Sequence, residues 1–166
     1  MNDTKKITVS FTGHRSYDRS NDAALREEIR GHYEEGFRIF LCGMARGFDL
    51  AAGECVADLR RELPGLQLEC IIPFRGQEQG FSQADRERFL RLVERADRVV
   101  TLAESYRAGA YHARNDYLVD NASAIIAYYN GSKGGTHYTV HRATRRGLRI
   151  SNLCIFREGE LFHDFI

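Results

Sequence analysis

Short apolar, β-branched runs alternate along this chain with amphipathic helical stretches, and that alternation constrains the fold more than any single motif does. The runs at 7–12, 38–42, 67–72, 98–102 and 123–129 read as strands, the first closing on Gly13 and the third ended by Pro73. Between them, 21–35 reads as a helix with Leu25, Ile29 and Tyr33 on one stripe and Ser20 or Asn21 as its cap. Helices follow at 49–63, stopped by Pro64-Gly65, and at 82–96, 110–121 and 136–146, the last ended by Gly147. A terminal strand at 149–156 and a short segment at 160–165, joined across Glu158-Gly159, complete the pattern. Near-continuous apolar strands separated by helices are buried on both faces, which a parallel sheet sandwiched by helices provides. The expected fold is α/β, a Rossmann-like, doubly wound, mostly parallel sheet with helices on both faces. A single domain is expected over 1–166, with a core over 7–156 and a C-terminal hairpin or extension over 157–166. Right-handed crossovers place every strand-end loop along one sheet edge, where ligands bind in such folds.

Composition narrows the function classes. Lys and Arg number 24 against 23 Asp and Glu, a net charge of +1 that argues against a strongly electrostatic nucleic-acid binder. No run approaches the roughly 20 apolar residues of a membrane span. The start, Met1-Asn2-Asp3-Thr4-Lys5-Lys6, lacks a signal peptide's apolar stretch and cleavage site. A cytoplasmic protein with no membrane partner is expected. Cys42, Cys55, Cys70 and Cys154 form no CxxC pair and read as buried free thiols. His137 and His141 lie four apart but lack the HExxH pattern, so no metal site is expected. Arg142, Arg145, Arg146 and Arg149 gather near a helix C-terminus, where cations favour the dipole.

The chemistry concentrates in the loops after the strands. In Cys42-Gly43-Met44-Ala45-Arg46-Gly47-Phe48-Asp49, Gly43 and Gly47 permit left-handed backbone or close approach, and Arg46 suits a bidentate phosphate clamp. Asp49 reads first as a cap of the following helix and second as a group orienting a ribose hydroxyl or the loop itself. Asn130-Gly131-Ser132-Lys133-Gly134-Gly135-Thr136 repeats the arrangement, with Thr136 either capping its helix or binding phosphate. Two glycine loops at strand-to-helix junctions predict a crevice for a phosphorylated ligand. Gly13, His14 and Arg15, just past the first strand, are expected to contact that ligand, with helix capping as the alternative for His14. The segment 73–81 reads equally as a mobile flap or as an ordinary exposed loop. Tyr111, Arg114, Asn115 and Leu118 share one helix face, and such polar groups are costly there unless partnered. Phe74, Phe81 or Tyr111 is the expected stacking partner for a base.

Four segments in this order and spacing resemble the SLOG superfamily, and within it the small bacterial and phage YpsA/YoqJ-like members. They are Phe11-Thr12-Gly13-His14-Arg15, the loop Cys42 to Asp49, Arg114-Asn115-Asp116-Tyr117-Leu118-Val119-Asp120, and Gly134-Gly135-Thr136. The first glycine loop is similar to the motif of DprA proteins, which bind single-stranded DNA. The second half is similar to the LOG phosphoribohydrolases, Arg114 matching their arginine and Gly135-Thr136 their Gly-Thr. Their catalytic glutamate falls on Thr139, which cannot stabilise an oxocarbenium-like state or activate water. Asp49, Asp116 or Glu78 would have to substitute, and Arg114 and Asp49 are the catalytic candidates. The resemblance therefore implies binding of a nucleotide or nucleotide-derived ligand ahead of hydrolysis, with single-stranded DNA the less favoured partner. No cofactor is implied, and the dimeric LOG relatives imply a homodimer.

Overall fold

All six strands run parallel in one sheet, ordered β4-β3-β2-β1-β5-β6, in the computed structural model, which describes residues 3–154. The strands are β1 (Thr8–Gly13), β2 (Ile39–Cys42), β3 (Gln67–Ile72), β4 (Arg98–Thr101), β5 (Ala124–Tyr128) and β6 (Arg149–Asn152). The helices are α1 (Asp22–Glu34), α2 (Phe48–Leu59), α3 (Gln83–Arg95), α4 (Ala110–Asp120) and α5 (Gly135–Arg145). The chain winds outward from β1 to β4, crosses back, and lays β5 against the free side of β1, with Val9 opposite Ala124 and Gly13 opposite Tyr128. The sheet order reverses between β1 and β5, and in open α/β sheets the crevice opens at such a point.

Strand periodicity splits the core in two. Val9 and Phe11 on β1, with Ala124 and Ile126 on β5, pack toward the face covered by α1, α2 and α3. The alternate β5 residues Ile125 and Ala127 pack with Val119, Val140 and Ala143 under α4 and α5. This alternation gives the sheet two covered faces, as expected for the doubly wound class. Helix α2 is central and almost wholly buried, from Phe48 to Leu59. The outer strands depart from the apolar expectation: Arg98, Val99 and Thr101 of β4 are exposed, because an edge strand has a neighbour on one side only.

Several boundaries move for local reasons. Helix α2 starts one residue before Asp49 and ends at Leu59, so residues 60–66 form the turn into β3 and Pro64-Gly65 does not end the helix. Asn21 occupies the α1 cap without a side-chain cap bond; its amide donates instead to the Leu153 carbonyl at 3.4 Å. Ser82 does cap α3, accepting the Asp85 N–H at 3.2 Å. Strand β6 ends at Asn152, and the segment expected at 160–165 lies outside the described residues. Among the described residues, no helix is long and apolar enough to cross a membrane.

Candidate functional site

The loops after β1 and β5 and the first turns of α2, α4 and α5 enclose a crevice of about 620 Å³ at the strand ends. That volume falls within the roughly 300–1,000 Å³ typical of small-molecule sites. Nine of the residues expected from sequence line it: Gly13, His14, Arg15, Asp49, Arg114, Asn115, Gly134, Gly135 and Thr136. The other three do not. Gly43 lies behind the wall, where an added Cβ would meet Arg114 at 2.9 Å and Asp49 Oδ2 at 3.0 Å. Arg46 and Gly47 border a neighbouring depression beside Arg15 and Arg88, so the expected Arg46 phosphate clamp is not part of this crevice.

Asp49 corrects the capping expectation. It sits inside α2 rather than before it; Gly47 takes the cap position, and Asp49 Oδ2 accepts the Ala45 N–H at 3.2 Å, bracing the loop from within. Asp49 is 4% exposed, and its Oδ1 has no hydrogen-bond partner among the described residues. Burial raises its pKa to about 6 against the opposing pull of Arg114, the Ala45 N–H and Arg15. A buried acceptor without a donor costs about 1–3 kcal/mol, a cost that a ligand donor would relieve. Asp49 is also the one carboxylate among the described residues lining the crevice.

Arg114 is 7% exposed and already engaged. Its Nη1 donates to the Gly43 carbonyl at 2.6 Å and its Nε to Asn115 Oδ1 at 2.8 Å, so the α4 arginine pins the first glycine loop from across the sheet. Burial lowers its pKa, while Asp49 works in the opposite direction. Tyr111, one turn earlier, faces the same crevice with the guanidinium 5.8 Å from its ring centroid.

His14 latches the two halves together. Its Nε2 accepts the Asn130 N–H at 2.9 Å, and its carbonyl accepts the Phe48 N–H at 3.2 Å. Burial holds its pKa below the ordinary imidazole value, in keeping with a neutral ring acting as acceptor. The helix-capping alternative for His14 is therefore replaced by a loop-to-loop bond. Asn152 fixes the far side: its side chain accepts the Tyr129 N–H at 3.1 Å and donates to the Tyr129 carbonyl at 2.9 Å. Neither His14 nor Asn152 carries a sequence signal for this role, because each acts on a loop more than 20 residues away.

The second glycine loop opens directly onto the crevice. Gly134 precedes α5 with φ of 146° and has nothing within 4 Å of where a Cβ would stand. No acidic side chain occupies the first turn of α5, so its N–H groups and Thr136 meet the crevice with the positive end of the helix dipole uncompensated. Thr139 lies elsewhere: fully buried, it turns its Oγ1 back to the Gly135 carbonyl at 2.9 Å. The stand-in carboxylates separate cleanly. Asp116 pairs with Tyr138 and Arg142 away from the crevice, and Glu78 does not line it. Three of the four arginines of the basic cluster are likewise paired, Arg142 and Arg146 with Asp120 and Arg149 with Glu35.

The segment 73–81 is tied down. Arg75 donates its N–H to Ala103 and its side chain pairs with Glu104 at 3.0 Å, while Phe81 packs on Phe89. A 3-10 helix at Gln77–Gly80 turns Gln77 inward. Ser16, Ala45, His112 and Ser132 line the crevice without having been singled out in the sequence; small and polar loop residues carry no distinctive spacing.

Comparison with known proteins gives a consistent placement. The UPF0398 protein of Bacillus thuringiensis (strain Al Hakam) is 28% identical over 127 residues, covering 75% of this chain and 69% of its own. The UPF0398 protein of Bacillus cereus (strain AH820) is 27% identical over the same length and shares. Among solved structures, DNA processing protein A (DprA) from Streptococcus pneumoniae superposes with a TM-score of 0.66 at 17% identity, covering 98% of this chain. This chain spans 55% of that protein's length. DNA processing protein A from Helicobacter pylori, studied for its single-stranded DNA binding mode, gives 0.66 at 14% identity over 94% of this chain and 68% of its own. At such identities these likenesses establish the shared fold alone. The family model matches residues 10–156, nearly the whole α/β core, and the chain belongs to the YspA SLOG family.

Proposed function

We propose that the crevice binds a nucleotide or nucleotide-derived phosphorylated ligand. The observation that carries this reading is that Asp49, whose buried Oδ1 has no donor among the described residues, lines the same crevice as the N-terminus of α5. Phosphate sits on the N–H groups at Gly134 to Thr136 with Arg15 beside it, while a sugar hydroxyl donates to Asp49. Tyr111 offers its ring to the base. Arg15 forms no ion pair among the described residues, which leaves its guanidinium available. Calorimetric titration with nucleoside mono- and diphosphates, cyclic nucleotides and ADP-ribose tests the proposal. At least one is expected to bind, and Arg15→Ala with Asp49→Ala weakens it together by tenfold or more. Absence of binding by every member overturns it.

Two further readings have specific support. Asp49, with its pKa near 6, is the carboxylate that a LOG-type phosphoribohydrolase activity would have to use in place of the residue at Thr139. Release of free base from AMP or CMP, abolished by Asp49→Asn, would establish it; no release above the buffer rate ends it. The likeness to the Helicobacter pylori single-stranded DNA binder supports a DNA-interacting module. That reading requires affinity falling steeply with salt, and salt-independent binding contradicts it.

A further inference from the structure

Beside the crevice lies a smaller cavity of about 100 Å³, lined by Arg15, Ala45, Arg46, Gln77, Phe81 and Tyr111. It shares Arg15, Ala45 and Tyr111 with the crevice, so the two adjoin. Its volume is below the roughly 300 Å³ at which small-molecule sites begin, so it accommodates part of a ligand and not a whole one. Gln77 is only 5% exposed, and its Oε1 has no hydrogen-bond partner among the described residues. The local backbone accounts for its position: Gly76 adopts the left-handed conformation at φ 90°, and the 3-10 helix that follows carries Gln77 into the wall. The remaining walls suit a flat ring. Tyr111 is held edge-on by Phe74 at 5.8 Å between centroids, Phe81 by Phe89 at 5.8 Å, and the Arg46 guanidinium lies 5.7 Å from the Phe81 ring centroid. Aromatic and guanidinium faces stack on heteroaromatic bases. No carboxylate lines this cavity among the described residues, so it does not select a cation.

We propose that this annex is the base-recognition subsite of the crevice, in which Gln77 Oε1 accepts a hydrogen bond from the exocyclic amino group of an adenine- or cytosine-type base. The proposal rests on the nucleotide reading given above. It also assigns Arg46 a different part from the phosphate clamp expected of it: the guanidinium walls the base pocket beside Phe81.

The test compares AMP with purine riboside 5′-monophosphate, which lacks the 6-amino group, CMP with its 4-deamino analogue, and ribose 5-phosphate, on wild type and Gln77→Met. At least one amino-bearing nucleotide is expected to bind about tenfold more tightly than its amino-free analogue, the scale of one hydrogen bond. Gln77→Met removes that preference and leaves ribose 5-phosphate affinity unchanged. Equal affinity for amino-bearing and amino-free nucleotides, or a preference that survives Gln77→Met, overturns the subsite while nucleotide binding stands. Absence of binding by every nucleotide and by ribose 5-phosphate overturns both. Should Gln77→Met fail to fold, the wild-type comparison decides alone.

Discussion

At the β1–β2 end of the crevice the glycines are hemmed in by protein, whereas at the β5–α5 end they face open space. A Cβ on Gly47 would stand 2.6 Å from Arg15 Cα, and one on Gly13 would stand 2.6 Å from Phe48 Cβ. Gly43 is similarly wedged between Arg114 and Asp49. Among the described residues, a Cβ on Gly134 would have no neighbour within 4 Å, and one on Gly135 would meet only the Asn115 amide at 3.6 Å. The two loops look alike as sequence, yet glycine serves packing in one and access in the other. The first loop is a clasp that holds Asp49 and Arg114 in place; the second opens onto the crevice.

Exchanging glycine for alanine on each side tests that contrast most directly. Gly47→Ala combines a left-handed φ of 77° with a backbone clash and should cost about 3–5 kcal/mol in urea unfolding. Gly135→Ala, inside a helix with room for a methyl, should leave stability within about 1 kcal/mol of wild type. Similar costs for both would remove the distinction. Arg114→Met comes next: it frees the Gly43 carbonyl and leaves Asp49 without its buried cation, a loss of about 2–4 kcal/mol in the same assay.

Asp49 gives a smaller, pH-dependent effect. Its folded pKa of about 6 lies above the unfolded value near 3.9, so the native state binds the extra proton between those values. Wild-type stability should therefore fall as pH rises from about 4 to about 6 and stay reduced above that. Asp49→Asn, which keeps an acceptor for the Ala45 N–H, should exceed wild type by about 1–3 kcal/mol at pH 7 and match it below pH 4, read as paired melting curves. A constant difference across pH would show that burial of the charge is not the cause. The smallest effect belongs to the latch. His14→Leu removes the acceptor of the Asn130 N–H and should cost about 1 kcal/mol. Faster hydrogen exchange confined to residues 130–136 is the expected signature. Unchanged exchange there would mean that the second loop holds its shape without His14.

Much of this was legible in the chain because its signals are local. The strand at 67–72 appears at those bounds, and Tyr111, Arg114, Asn115 and Leu118 do share one face, since periodicity depends only on residues within a few positions. The cap reading of Asp49 fails because an acidic residue just past a glycine turn looks the same whether it precedes a helix or lies within its first turn. The motif around Arg46 suggests phosphate, while the fold sets its guanidinium 5.7 Å from the Phe81 ring centroid. Gln77 carried no signal at all, being a polar residue in a polar loop.

Apolar periodicity and turn chemistry are written in neighbouring residues, so the α/β class, the parallel winding and the strand-end loops are legible in the chain, and nine of the twelve expected residues line the crevice. Which glycine loop is a clasp and which is open follows from the folded arrangement alone. So does the finding that, among the described residues, Asp49 and Gln77 each carry a buried oxygen without a donor. Those properties depend on what lies across the sheet, on α4 against β2 and on the β5 loop against His14, and distances between segments so far apart in sequence exist only once the chain has folded.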